Sequence, residues 1–216
     1  AMDWGSAKPF SIGWYAVVTD TYRTEDGLTL PRGCLVKYRE WYGVKQTHGG
    51  FEPNVGLKMT AEEVAVETKI REKDDRISYG VIDPSTVAED GGPSIMETML
   101  RKGVAWRPAD NKRVAQHGAM GGWDQLRSRL KGDADGNPML VFFSTCIHTI
   151  RTIPALQHDD ARPEDVDTDG EDHAADETRY ACMSRPWIKP SQNEAQTRPQ
   201  DRYSMNRNTG DSWRTA

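Results

Sequence analysis

The sequence predicts an α/β domain with a mixed sheet and helices on both faces. Three observations favour this class. Two segments near the start, at residues 10–19 and 35–42, are rich in aromatic and β-branched residues. Beyond residue 60, segments with helical spacing alternate with short apolar runs. The length of 216 residues allows one domain with a substantial core, which we place at residues 1–187.

The first half of the chain predicts an antiparallel meander, then a helix and a strand. The segments at 10–19 and 35–42 pair across a turn-rich run, and residues 48–58 show no periodicity. Thr60 precedes Glu63 at the capping-box spacing, so we expect a helix at 60–73. A short buried strand follows at 78–82. Pro84 ends it, which leaves Asp83 at its carboxyl edge.

The second half continues the alternation of helices and strands. The pattern predicts helices at 94–102, 112–130, 146–157 and 172–184, with strands at 105–108 and 139–144. The glycine pair at 121–122 interrupts the second of these helices. Residues 133–137 imitate the start of a calcium loop, but Ser144 stands where its glutamate belongs, so we predict a turn. Residues 188–216 are polar and aperiodic, and we expect a disordered tail.

Charge and cysteine usage limit the function classes. The formal net charge is -5, so bulk charge carries no nucleic-acid signature. The acid is concentrated: between Asp159 and Asp176 there are nine Asp or Glu residues and one Arg. The three cysteines form no CxxC pair and are expected to be buried thiols in a reducing compartment. No apolar stretch of about 18 residues and no signal peptide is present, so we expect a soluble, cytosolic protein.

Three acidic positions on separate elements predict a metal site. If the first strand pairs with the strand that ends at Asp83, Asp3 and Asp83 lie side by side. The helix that starts near residue 172 packs across them, with His173 and Asp176 at i and i+3 on one face and Tyr180 at i+7. Carboxylate oxygens with one imidazole fit Mg²⁺ or Mn²⁺. Two such ions would suit phosphodiester hydrolysis.

Each of these residues also has a structural interpretation. Asp3 fits a turn, and Asp83 fits a cap at the end of its strand. Asp172 fits the N-cap of the last helix, and Asp176 fits an exposed acid of its first turn. Glu40 is expected to face solvent on an alternating strand.

Basic residues are expected away from the acidic cluster. They flank the glycine-bearing segment after residue 111, where the backbone can approach a ligand closely. Their side chains fit contacts with DNA phosphates, and equally an ordinary solvated helix face. They are Lys112, Arg113, Arg127, Arg129 and Lys131.

The motifs together resemble the C-terminal nuclease domain of the large terminase subunit of tailed double-stranded DNA bacteriophages and gene transfer agents. The resemblance covers about residues 1–187. Four motifs carry it: MDWG at 2–5, YREWYG at 38–43, VIDPS at 81–85 and DHAAD at 172–176, followed by Arg179 and Tyr180. The chain departs from the family at Glu177 and Thr178, where small or apolar residues are usual.

The resemblance implies an RNase H-like (RuvC-like) fold with strand order 3-2-1-4-5. It implies a metal-dependent endonuclease that cuts concatemeric double-stranded DNA. Asp3, Asp83 and Asp176 would bind two Mg²⁺ or Mn²⁺ ions, with His173 as an auxiliary group. The implied partners are double-stranded DNA, the ATPase domain of the large terminase, the small terminase subunit and the portal protein, in the cytoplasm of an infected bacterium.

Two other functions fit the same motifs. One is another RNase H-like nuclease, of the junction-resolvase or transposase type. The other is a non-catalytic packaging module that docks on portal or motor proteins. The 216 residues hold no GxxxxGK[ST] phosphate loop, so this chain alone is not expected to translocate DNA.

Overall fold

The fold is known from a computed structural model that describes residues 1–89 and 91–188. Short 3₁₀ helices lie at Pro84–Val87 and Ile153–Ala155. In chain order the other elements are β1 (Met2–Asp3), β2 (Ser11–Val17), β3 (Tyr22–Arg23), β4 (Thr29–Leu30), β5 (Leu35–Tyr42), β6 (Val44–Thr47), β7 (Gly50–Gly56), α1 (Ala61–Arg71), β8 (Val81–Ile82), α2 (Ile95–Arg101), β9 (Arg107–Pro108), α3 (Gly122–Lys131), β10 (Leu140–Phe142), α4 (Ile147–Thr152) and α5 (His173–Ser184).

A six-stranded mixed sheet in the order β10-β5-β2-β1-β8-β9 forms the centre of the domain. The predicted meander is confirmed, because β2 pairs antiparallel with both β1 and β5. Strand β1 is also parallel to β8, with Met2 opposite Ile82. Strands β10 and β9 add parallel pairs at the two edges. The predicted α/β class with a mixed sheet is therefore confirmed.

Alternating side chains of β2 fill two cores, one on each face of the sheet. Ile12 and Trp14 join a cluster with Val64 of α1. Tyr15 and Val17 pack against a second cluster, to which α3 and α5 contribute. Helices therefore cover both faces, as period-2 alternation in a doubly covered sheet requires.

Several elements match their sequence signals closely. Thr60 and Glu63 form the predicted capping box at the start of α1. Strand β5 has the predicted bounds. Asp133 Oδ1 accepts bonds from the backbone N–H groups of Asp135 and Asn137, so residues 133–137 form the predicted turn. All three cysteines are buried free thiols, as predicted.

Two predictions about regular structure are wrong. Residues 48–58, expected to be irregular, contain the whole of β7, which forms a hairpin with β6. The predicted helix at 112–130 exists only from Gly122 onward. Before it the chain reverses, because His117 and Gly118 take positive φ angles of 51° and 81° between the bridged residues Gln116 and Ala119. The glycine pair therefore begins the helix instead of interrupting it.

Two further predictions concern the C-terminal tail and the membrane. Apart from Ile188, the tail expected at residues 188–216 lies outside the described residues. Among the helices of the described ranges, none has the length and apolar character needed to cross a bilayer.

Candidate functional site

Two of the predicted acids lie at the carboxyl ends of neighbouring parallel strands, Asp3 as the last residue of β1 and Asp83 directly after β8. Because Met2 of β1 is the register partner of Ile82 of β8, Asp3 and Asp83 emerge at the same edge of the sheet. The side chain of Asp3 points into the protein, and the residue is 7% exposed. The predicted juxtaposition of these strands is confirmed.

Helix α5 brings His173 onto Asp3. The helix is buried from His173 to Cys182, since it crosses the sheet beneath α3 and α4. His173 Nδ1 lies 3.2 Å from Asp3 Oδ2, and its Nε2 lies 3.0 Å from Asn54 Oδ1 on the β6–β7 hairpin. Sequence reasoning missed Asn54, which lies in a segment that showed no periodicity.

Arginines hold both carboxylate oxygens of Asp176. Arg179 Nε donates to Oδ1 at 2.9 Å, and Arg113 Nη1 donates to Oδ2 at 3.1 Å. Arg113 is fixed from behind by Asp165, at 2.7 Å from its Nε, and by the carbonyl of Val166. The expectation that Arg113 lies away from the carboxylates is therefore wrong. The reversal of the chain before α3 places it inside the cluster.

The structural interpretations of two acids have different outcomes. Asp83 does cap a chain segment, because its carboxylate accepts the backbone N–H of Ser85 at 2.9 Å and its hydroxyl at 2.7 Å. Asp172 occupies the N-cap position of α5, yet its side chain makes no capping hydrogen bond. Only its backbone carbonyl takes part, accepting the N–H of Asp176 at 2.8 Å.

Burial and the charges of neighbouring acids shift the pKa values of several residues in the site. Burial raises the pKa of Asp3 to about 7, and the charges of Asp176 and Asp83 add to the effect against the hydrogen bond from His173. Burial opposes a charge on His173, but the hydrogen bond and charge of Asp3, together with Asp172, raise its pKa above the ordinary value. Burial, then the charges of Asp3 and Asp176, raise the pKa of the Tyr180 hydroxyl, so it stays neutral.

The acids of the site are hard oxygen donors, but they do not surround one point. Within the described ranges, no three His, Cys, Asp or Glu side chains are close enough to hold a metal ion as they stand. Asp176 faces its arginines and Asp83 faces Ser85. Asp3, however, is a buried carboxylate with raised pKa and only a histidine beside it. Hard oxygen donors that repel one another in this way fit Mg²⁺ or Mn²⁺ by their chemistry.

The departure at Glu177 is explained by a buried ion pair. Lys37 Nζ of β5 lies 2.5 Å from Glu177 Oε2, and both side chains are fully buried. The hydroxyl of Tyr15 donates to the same carboxylate at 3.2 Å. Gly13 leaves room for it, because a Cβ there would lie 2.4 Å from Glu177 Oε1. The lysine inside an apolar strand pattern was the sequence signal for a buried partner.

Glu40 was expected to face solvent, but its carboxylate binds the start of α4. Its carboxylate accepts the backbone N–H groups of His148 and Thr149 at 2.6 and 3.0 Å, and the Thr149 hydroxyl at 2.7 Å. The expectation was wrong because α4 packs over β5 and presents its unsatisfied N-terminal N–H groups to this strand. Glu40 therefore caps a helix that is distant in sequence.

The remaining basic residues divide into exposed and buried side chains. Lys112, Arg127 and Lys131 are exposed. Arg129 is only 2% exposed and donates to the carbonyls of Gly33 and Met139, at 3.1 and 3.0 Å. The structure therefore gives Arg129 a role inside the core, where its guanidinium binds backbone carbonyls.

The protein is an α/β domain in which carboxylates lie close to the carboxyl ends of the neighbouring strands β1 and β8. No protein-family model matches the chain, and a search of curated proteins gives no match. Solved structures of the large terminase from a thermophilic bacteriophage are similar in fold. One crystal form has a TM-score of 0.59 at 18% identity, covering 85% of this chain and 38% of that one.

Two further structures of that terminase agree. A second crystal form gives a TM-score of 0.58 at 16% identity, covering 85% of this chain and 38% of the other. The complex with ADP gives 0.55 at 18% identity, covering 83% and 37%. The chain thus spans less than two fifths of these neighbours' length. At such identity the likeness establishes a terminase-like fold.

Proposed function

We propose that this chain is the endonuclease domain of a phage-type large terminase, with an RNase H-like fold. It would cut concatemeric double-stranded DNA by metal-dependent phosphodiester hydrolysis with little sequence preference. The likeness to the large terminase of the thermophilic phage supports a terminase-related role. The consecutive strands β5, β2, β1, β8 and β9 support the RNase H-like assignment, since they follow the order 3-2-1-4-5 when numbered within that fold.

One observation carries the proposal: three separate elements bring mutually repelling carboxylates together. Asp3 comes from β1, Asp83 from the end of β8 and Asp176 from α5. The charges of Asp83 and Asp176 both raise the pKa of Asp3. A folded chain that held such a group only for stability would lose free energy by it, so a cationic ligand is the natural reason for the arrangement.

The side chains of the site have different proposed roles around the ions. A bound Mg²⁺ or Mn²⁺ would polarise a phosphoryl oxygen and lower the pKa of an attacking water. Asp3, Asp83 and Asp176 bind, and two of them must release their present partners to do so. His173 fixes the carboxylate of Asp3 and is itself oriented by Asn54.

Exposed basic side chains provide a path for the DNA backbone. Lys112 is exposed and immediately precedes Arg113, which binds Asp176. Arg127 and Lys131 are exposed at i and i+4 on α3, hence on one helix face. Their charges would bind phosphates without reading sequence.

The proposed partners follow from the same assignment. Besides double-stranded DNA they are the ATPase domain of the large terminase, the small terminase subunit and the portal protein. The proposed place of action is the cytoplasm of the infected bacterium.

Plasmid cleavage tests the function. Supercoiled plasmid should be nicked and then linearised when Mn²⁺ or Mg²⁺ is present, and EDTA should stop the reaction. Asp83→Ala should abolish cleavage while the circular dichroism spectrum stays that of the folded protein. Asp160→Asn is the matched control, because Asp160 is exposed in the acidic segment.

Three outcomes separate the alternatives. Unchanged cutting by the Asp83→Ala protein would refute the assignment of the site. Preference for a four-way junction over plasmid would point to a resolvase-type nuclease. DNA or portal binding without any metal-dependent cleavage would identify a non-catalytic packaging module.

A further inference from the structure

Asp172 is a buried carboxylate to which no other residue of the described ranges donates a hydrogen bond. It lies immediately before α5 and is only 5% exposed. Its side chain does not cap the helix. Its two ion contacts, at 3.8 and 3.9 Å, exceed hydrogen-bond length. Burial of a carboxylate in this way is unfavourable unless a cation compensates it.

Each oxygen of Asp172 lies near a nitrogen that also contacts another acid of the site. Oδ1 is 3.8 Å from His173 Nδ1, the same nitrogen that lies 3.2 Å from Asp3 Oδ2. Oδ2 is 3.9 Å from Arg113 Nη1, the same nitrogen that donates to Asp176 Oδ2 at 3.1 Å. Asp172 therefore shares one neighbouring nitrogen with Asp3 on the sheet and another with Asp176 on the helix.

The neighbouring acids accept hydrogen bonds from other side chains, whereas Asp172 accepts none from another residue of the described ranges. Asp176 receives hydrogen bonds from two arginines, one on each oxygen. Asp165 Oδ1 accepts from Arg113, from the indole N–H of Trp123 and from the backbone N–H of Val166. These hydrogen bonds explain why the Asp165 carboxylate is buried. Asp172 accepts no comparable hydrogen bond from another described residue.

We infer that Asp172 is a fourth carboxylate of the proposed site and contacts the divalent cation directly. This inference rests on the proposed function, because it names a further ligand for the same metal. With Asp172 as a ligand, Asp176 need release only Arg113 and can keep its bond to Arg179. The α5 helix would then contribute two carboxylates one turn apart, which share a face at i and i+4.

Metal binding measured without catalysis tests the inference. The full chain is titrated with Mn²⁺ by isothermal calorimetry, beside the Asp172→Asn, Asp172→Ser, Asp3→Asn and Asp160→Asn variants. Loss of a direct ligand should weaken Mn²⁺ binding roughly tenfold or more, at least as much as loss of an outer-shell partner. Asp160→Asn should bind like the wild type. Thermal melts in EDTA should show both position-172 variants folded, since each removes a repulsive charge.

The outcomes distinguish the inference from the proposed function. Absence of Mn²⁺ binding by the wild type would overturn both. Wild-type affinity and stoichiometry in the Asp172→Asn and Asp172→Ser variants, with loss of binding in Asp3→Asn, would overturn the role of Asp172 alone. Failure of both position-172 variants to fold would make Asp172 a structural residue and would overturn the inference as well.

Discussion

The buried carboxylate of Asp3 should make the metal-free protein less stable as pH rises. Its pKa is about 7 in the folded chain, against 3.8 for the free group. The folded state therefore holds a proton that the unfolded state releases. Stability is lost as pH rises from about 4 through about 7, and the loss is complete above the folded pKa. At about 1.4 kcal/mol per pKa unit, the ionised form costs roughly 4 kcal/mol.

The Asp3→Asn substitution removes this cost because the amide does not ionise. We expect the variant to be slightly less stable than the wild type near pH 4 and to exceed its stability near pH 8 in EDTA. A neutral hydrogen bond to His173 lost in the exchange would cost about 1 kcal/mol, which leaves a gain of roughly 3 kcal/mol at the higher pH. Added Mn²⁺ should reduce or reverse the difference, since only the wild type keeps the carboxylate ligand.

Urea unfolding followed by tryptophan fluorescence measures the effect. Wild type and Asp3→Asn are compared at several pH values in EDTA and again with Mn²⁺, with Asp160→Asn as the control that should track the wild type. A difference in unfolding free energy that stays constant with pH would refute the electrostatic reasoning, because it would show that Asp3 titrates normally in the folded chain.

Two further substitution sets test the packing and the DNA surface. Lys37→Met should lower the free energy of unfolding by roughly 3–5 kcal/mol, because it leaves Glu177 buried and unpaired, and adding Glu177→Gln should restore most of the loss; urea unfolding measures both. Arg127→Ala and Lys131→Ala should each reduce the slope of log binding constant against log salt by about 0.9 in fluorescence anisotropy with duplex DNA, whereas Arg129→Ala should lower stability and leave the slope unchanged.

Contrary results are equally specific. A double variant at positions 37 and 177 that is no more stable than Lys37→Met would show that charge burial is not the cause of the loss. An unchanged salt slope in both α3 surface variants would remove that face from the DNA path.

Local patterns predicted the frame of the candidate site. The proline after Asp83 predicted where β8 ends, and the assumed pairing of the first strand with that strand, which puts Asp3 beside Asp83, is confirmed by the register of β1 with β8. Helical spacing was enough to place His173 and Asp176 on one face of a helix. These signals are short-range, so they survive without knowledge of tertiary contacts.

The contacts that refine the site depend on distant parts of the chain. Arg113 reaches Asp176 because the loop before α3 turns at His117, and a positive φ angle at a histidine leaves no clear pattern in sequence. Asn54 meets His173 across 119 positions of sequence. Glu40 caps α4 from a strand 108 positions away. Such pairings are set by packing, which local propensity does not encode.

Because Gly13 lies close to the Lys37–Glu177 ion pair, the effects of substitutions at these three positions should depend on one another during evolution. A methyl group at position 13 would collide with Glu177. A smaller residue at position 177 would leave the Lys37 ammonium buried without its counter-charge. Each single change is harmful in the background of the other two, although a coordinated change of all three would leave a sound apolar interior. Relatives of this chain should therefore change Lys37 and Glu177 together, and should carry a larger residue at position 13 only where the glutamate is also replaced, so that Gly13, Lys37 and Glu177 form one epistatic unit.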